Sequence, residues 1–222
     1  MDRREPFVFF TEQRLVVITG RHASDLGELL EGLREVSGSS IFYHFHQRYL
    51  SHHFEKPPFR SAFADWVARA LLEERLAEKL TGIDLFSMRS VRQVREATAE
   101  AIERYLAEVN GRLRKCPEGD EFHFCESKSF VVPLGLTAHN VRELAGLLPR
   151  VTNASLFYHF FESRLRLERT HSDFSEWIAY RGAPELAAAI DRLDPYLFSL
   201  DKLKAEICRL ADTWLTEAGG DV

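Results

Sequence analysis

The sequence predicts a mainly α-helical protein with a few short β-strands, arranged as two homologous tandem units (β-β then helices) related by a pseudo-twofold. Two observations predict it: apolar residues recur at helical spacing through most of the chain, and the chain resembles itself at a fixed offset. Displaced by 115 residues, Phe7 falls on Phe122 and Phe45 on Phe160 without a gap, and 15 of these 39 positions are identical. Unrelated stretches of that length would share about two or three, so the offset marks a repeated structural unit. Identical pairs include Phe9/Phe124, Val16/Val131, Gly20/Gly135, Leu33/Leu148 and Ser40/Ser155, and Phe42-Tyr43-His44-Phe45 recurs as Phe157-Tyr158-His159-Phe160. After a loss of four residues, Phe63-Ala64-Asp65-Trp66-Val67 matches Phe174-Ser175-Glu176-Trp177-Ile178. The expected units are 6–110 and 121–216, joined by a linker at 111–120 where Cys116-Pro117-Glu118-Gly119-Asp120 punctuates the chain, with a tail at 217–222.

Each unit opens with short runs of β-forming residues. Phe7-Val8-Phe9-Phe10 and Leu15-Val16-Val17-Ile18 are echoed by Phe122-His123-Phe124 and Phe130-Val131-Val132. Isolated hairpins are marginal in water, so strands of the two units are expected to pair into one small shared sheet. Gly20 and Gly135 read as turn residues that need a positive φ. Ser24 is placed to cap a helix carrying Leu26, Leu29, Leu30, Leu33 and Val36, a stripe repeated by Val141, Leu144, Leu148 and Val151. Ser40 and Ser155 are the expected N-caps of a second helix, whose apolar face is Ile41, Phe42, Phe45 and Tyr49 in the first unit and which Pro57-Pro58 ends. Further helices are predicted over about 60–80 and 89–109, with counterparts near 173–192 and 200–216.

The 222 residues are 45% hydrophobic, 28% charged and 12% aromatic, within the range of folded globular proteins and outside that of disordered or repetitive chains. A net charge of −5 removes the generic electrostatic argument for nucleic acid or an anionic membrane. No run of signal-peptide length follows Arg3-Arg4, and none approaches the roughly 20 apolar residues of a membrane span, so a cytoplasmic location without a membrane partner is expected. Cys116, Cys125 and Cys208 form no CxxC pair and read as reduced thiols.

His44 and His159 are the first site candidates, because a titratable residue present in both units points to a shared requirement. The alternative is a structural hydrogen bond at a seam between helices or repeats, the usual state of a buried polar group. Tyr43 and Tyr158 precede them, and Arg48 and Arg164 follow with the fork geometry that binds phosphate or carboxylate. His46, His52 and His53 crowd the same helix in the first unit, but Gln47 and Arg48 stand three and four residues after His44, where a helical metal site needs ligands. In the second unit, His159 with Glu162 and Glu168 with His171 resemble half a carboxylate site, without the repeated Glu-xx-His signature. Trp66 and Trp177, each behind an acidic residue, read as core anchors rather than stacking platforms. There is no Gly-rich phosphate loop and no GxSxG elbow, and no cofactor is implied.

Two resemblances bear on function. Glu143 to Phe160 looks like the helix-turn-helix of tetracycline-repressor-type regulators, yet the helix expected to enter a groove presents mainly aromatic residues. Ser40-Ile41-Phe42-Tyr43-His44-Phe45, His52, Pro57-Pro58, Phe63 to Val67 and Gly82-Ile83-Asp84 resemble the bacterial and archaeal family known as domain of unknown function 5752, with Ser155 to Phe160, Asp173-Phe174 and Glu176-Trp177 as a degenerate second copy. Ser61-Ala62 stands in the first copy where the family pattern has Asn-Asp. That resemblance implies a fold and no particular activity. The residues favour a non-catalytic ligand- or protein-binding, regulatory module, with a protein or a small polar ligand held near Tyr43, His44, Arg48, Tyr158, His159 and Arg164, and with homo-oligomers possible. The alternatives are a metal- or histidine-dependent enzyme using the His-rich second helix with Glu55, Glu162 and Glu168, and a helix-turn-helix-like DNA-binding protein.

Overall fold

Thr11-Glu12-Gln13-Arg14 holds no glycine or proline to reverse the chain, and the two expected short strands on either side of it form one, β1 (Phe7–Ala23). The same happens in β2 (Phe122–Ala138), whose bounds are those of β1 displaced by 115 residues. In this computed structural model, residues 5–51, 59, 61–110, 114–163 and 171–217 are described, 47–51 by their backbone alone. The strands are therefore long rather than short. They pair with each other in a single two-stranded antiparallel sheet, the shared sheet that marginal hairpins predict. Gly20 and Gly135 do take positive φ, 81° and 69°, but inside the strands, where such a residue lets a strand bulge instead of turning it.

The chain forms two compact units, one of residues 14–128 and one of residues 1–13 with 129–222. The cuts fall inside the strands rather than at the linker, so each strand begins in one unit and ends in the other.

In the 14–128 unit, α1 (Leu26–Glu35) is capped by Asp25, whose side chain accepts the Glu28 N–H at 3.0 Å, and not by Ser24. Ser24 sits outside the cap and gives its own N–H to Glu28 Oε2 at 2.7 Å. Ser40 lies within α2 (Gly38–Ser51), and the hydroxyl that caps the turn is that of Ser37, which accepts the Ser40 N–H at 3.2 Å. The expected helix at 60–80 is two helices, α3 (Ala62–Arg69) and α4 (Glu74–Thr81), broken where Leu72 adopts φ 56°. Ser90 caps α5 (Val91–Glu108) by accepting the Gln93 N–H. Phe122 and Phe124 of β2 are buried against Phe63. Gly32 of α1 makes room for them, since a β-carbon there would lie 2.3 Å from the Phe124 ring.

In the other unit, α6 (Val141–Leu147) ends in a tight turn at Leu148–Arg150, and Thr152 rather than Ser155 caps α7 (Asn153–Phe157) by accepting the Ser155 N–H. The chain then widens into a π-helical turn at Tyr158–Glu162, where α2 keeps its α-helical course. The expected helix at 173–192 is again two, α8 (Asp173–Tyr180) and α9 (Pro184–Asp191), parted at Gly182 with φ 88°. The last is α10 (Leu200–Glu217). Phe7 of β1 stacks on Phe174 and meets the Trp177 ring edge-on, and both tryptophans singled out in the sequence are core residues. The Pro57-Pro58 stop lies outside the described residues.

Candidate functional site

Ser172 and Ser175 cap α8 reciprocally, and its first turn meets the end of the π-helical segment, where the Asp173 N–H donates to the Ser163 hydroxyl at 3.3 Å. Asp173 and Glu176, three residues apart, therefore share one side of that turn. With Tyr158 and His159 of the π-helical turn and Phe7 and Phe10 of β1 they line a cavity of about 290 Å³. Phe7, Phe10 and Tyr158 are its aromatic lining residues, and Glu5, His159, Asp173 and Glu176 its ionisable ones.

His159 is buried, and both of its ring nitrogens are engaged. Nε2 accepts the backbone N–H of Phe10 at 2.9 Å, so the ring proton belongs on Nδ1, which faces Asp173 Oδ2 at 2.9 Å. The imidazole is neutral in this arrangement. The Ser155 hydroxyl donates to the Phe10 carbonyl at 2.6 Å, so both backbone groups of Phe10 are held by this segment. Nearby, the Trp177 indole N–H donates to the Glu5 carbonyl at 3.0 Å.

The 14–128 unit repeats this clasp without the carboxylate. His44 Nε2 accepts the Cys125 N–H at 2.9 Å, and the Trp66 indole donates to the Asp120 carbonyl at 2.6 Å. Ala62 occupies the place of Asp173. Burial drives the His44 pKa from 6.5 down to about 3, and burial followed by the Arg14 charge does the same to His46. Tyr43, half-buried beside His44, has its hydroxyl pushed up by desolvation and then by Cys125.

Of the residues singled out by sequence, Tyr158 and His159 come together at the cavity, while Tyr43 and His44 sit in contact with each other in the other unit. The Arg48 side chain and Arg164 lie outside the described residues, as do His52, His53, Glu55, Arg166 and Glu168. His171 pairs through Nδ1 with Asp191 Oδ2 at 2.5 Å, and Asp191 also accepts the Ser175 hydroxyl. Among the described residues no three His, Cys, Asp or Glu side chains are gathered as a metal-ligand set. Sequence reasoning missed Glu176, Phe7 and Phe10 as cavity residues. The available signal was Asp173, a charge standing where the aligned stretch upstream has Ala62.

The fold and site thus define a mainly helical protein whose strands are clasped by buried histidines, with a polar, aromatic-walled cavity beside one of them. The chain belongs to the family described as a family of unknown function, DUF5752, whose model matches residues 4–212. It is similar to a solved structure, "The structure of OrfY from Thermoproteus tenax", at 28% identity over 95% of both chains with a TM-score of 0.82. No curated protein matches the chain. Among the described residues no helix is long and apolar enough to cross a membrane.

Proposed function

We propose that this protein is a non-catalytic binding module that holds a small polar ligand in the cavity beside Tyr158, His159 and Asp173. The observation that carries this reading is the cavity itself. Its volume of about 290 Å³ sits at the lower edge of small-molecule sites, and it joins three aromatic walls to the Asp173 and Glu176 carboxylates. Such walls suit a ligand with an apolar face and hydroxyl or amine donors. The π-helical turn adds support, because such turns concentrate at functional sites and α2 has none at the repeated motif. Binding is favoured over histidine-dependent catalysis because both His159 nitrogens already serve the protein. In this reading the units arose by tandem duplication, with Arg164 following Tyr158 and His159, and with Tyr43, His44 and Arg48 as their counterparts in a first unit that keeps only the clasp.

The test is a titration with small amines, polyols and carboxylates, read by thermal shift and by chemical-shift changes at Tyr158 and Asp173. The reading predicts saturable binding of donor-rich ligands that Asp173→Asn weakens by about tenfold or more, the loss of one charge-assisted hydrogen bond. Saturable binding that is indifferent to Asp173→Asn and Glu176→Gln, or no binding together with a ligand-free mass in native spectrometry, contradicts it.

One observation favours a second reading, in which the partner is a protein. Leu15, Val16 and Ile18 of β1 are exposed, Ile18 by 68%, on a strand that has a single neighbour among the described residues. An extended segment of a partner would add to that edge. Ile18→Lys then abolishes the interaction without changing stability; retained binding removes this reading.

A further inference from the structure

His22 lies near the end of β1 and His123 near the start of β2, both in the 14–128 unit, and their ring centroids are 6.1 Å apart at an interplanar angle of 45°. Side chains alternate across a strand. Ala23, Phe122 and Phe124 are buried, so both imidazoles stand on the outward face, and both are exposed.

Two imidazoles bound to one ion at about 2.0–2.1 Å in tetrahedral geometry place their ring centroids about 5 Å apart. The observed pair is about 1 Å wider than that separation, a gap that rotation about exposed side-chain torsions closes without moving either strand. Neutral imidazole suits a late first-row dication better than Mg²⁺ or Ca²⁺. We infer that His22 and His123 form a cross-strand site for a divalent transition metal such as Ni²⁺ or Zn²⁺, with water completing the shell. The site belongs to this unit alone. The aligned positions in the repeat are Thr137 and Val8, which supply no nitrogen ligand. It is separate from the cavity beside His159, so either assignment stands or falls without the other.

Chelator-treated full-length protein titrated calorimetrically with Ni²⁺, a probe that leaves its three cysteines unoxidised, tests the site. Wild type is expected to bind one equivalent that His22→Ala/His123→Ala loses, with each single variant weakened by about tenfold or more because one of two imidazoles is gone. Both rings are exposed, so unchanged circular dichroism and urea midpoints are expected for all variants. A double variant that keeps the wild-type stoichiometry and affinity overturns the inference, as does a wild type that binds no Ni²⁺.

Discussion

The backbone N–H of Phe10 donates to Nε2 of His159 at 2.9 Å, joining residues 149 apart in the sequence. Cys125 and His44, which hold the aligned positions, do the same at 2.9 Å across 81 residues. In both cases a histidine of one sequence repeat holds the strand of the other. The repeated histidine thus has a structural task in each unit. Removing it leaves a part-buried donor unpaired, so His159→Leu, which takes the imidazole from the Phe10 N–H and one hydrogen bond from Asp173, is expected to cost about 1–3 kcal/mol in urea denaturation. Asp173→Asn is expected to cost less.

The strand exchange predicts how halves of the chain behave. Phe7 and Phe9 are core residues of the unit whose helices come from 141–217, and Phe122 and Phe124 of the one whose helices come from 26–108. Separately expressed fragments 1–113 and 114–222 each lack the aromatic strand segment their helices enclose. Each alone is expected to give no cooperative thermal transition, and their mixture to regain one.

Acid sensitivity follows from His44 and His46. Their pKa values fall from 6.5 in the unfolded chain to about 3 in the fold, so the unfolded state takes up protons first. Their contribution is fully present above pH 6.5 and declines as pH falls from there towards 3. Between pH 7 and 5 each costs about 2 kcal/mol of stability. Urea midpoints at the two pH values measure this, and His46→Phe is expected to flatten the dependence.

Two glycine positions test the packing. Gly32→Ala drives a methyl group into the Phe124 ring and is expected to destabilise by about 1–3 kcal/mol, relieved by Phe124→Leu. Gly182 holds φ 88° at the α8–α9 junction, so Gly182→Ala is expected to cost about 1 kcal/mol. Leu72 takes φ 56° at the corresponding α3–α4 junction and is 66% exposed, so Leu72→Gly loses little burial while relieving the left-handed backbone, and is expected to be no less stable than wild type.

Much of the fold was legible because periodicity reports burial directly. The stripe Leu26, Leu29, Leu33 became the buried face of α1, and the 89–109 and 200–216 predictions match α5 and α10. Cap positions were less legible, since Ser24, Asp25, Ser37 and Ser40 are all competent caps and backbone geometry alone chooses among them. The long strands were hidden because Glu12 and Arg14 interrupt the apolar alternation; sheet pairing satisfies the backbone there regardless of side chain. The candidate site was half legible. Tyr158 and His159 stood out as repeated residues, but Phe7 and Phe10 reach them from a strand some 150 residues earlier, a proximity that local pattern cannot carry.

The central claim is that the repeated histidines are neutral clasps rather than reactive groups. Long-range ¹H–¹⁵N correlation spectra of the histidine side chains at pH 7, assigned with single-residue variants, test it most directly. The structure predicts that His44 and His159 both carry their proton on Nδ1, with Nε2 an unprotonated acceptor. A proton on Nε2 or a doubly protonated ring at either position would break the strand clasp and contradict the account.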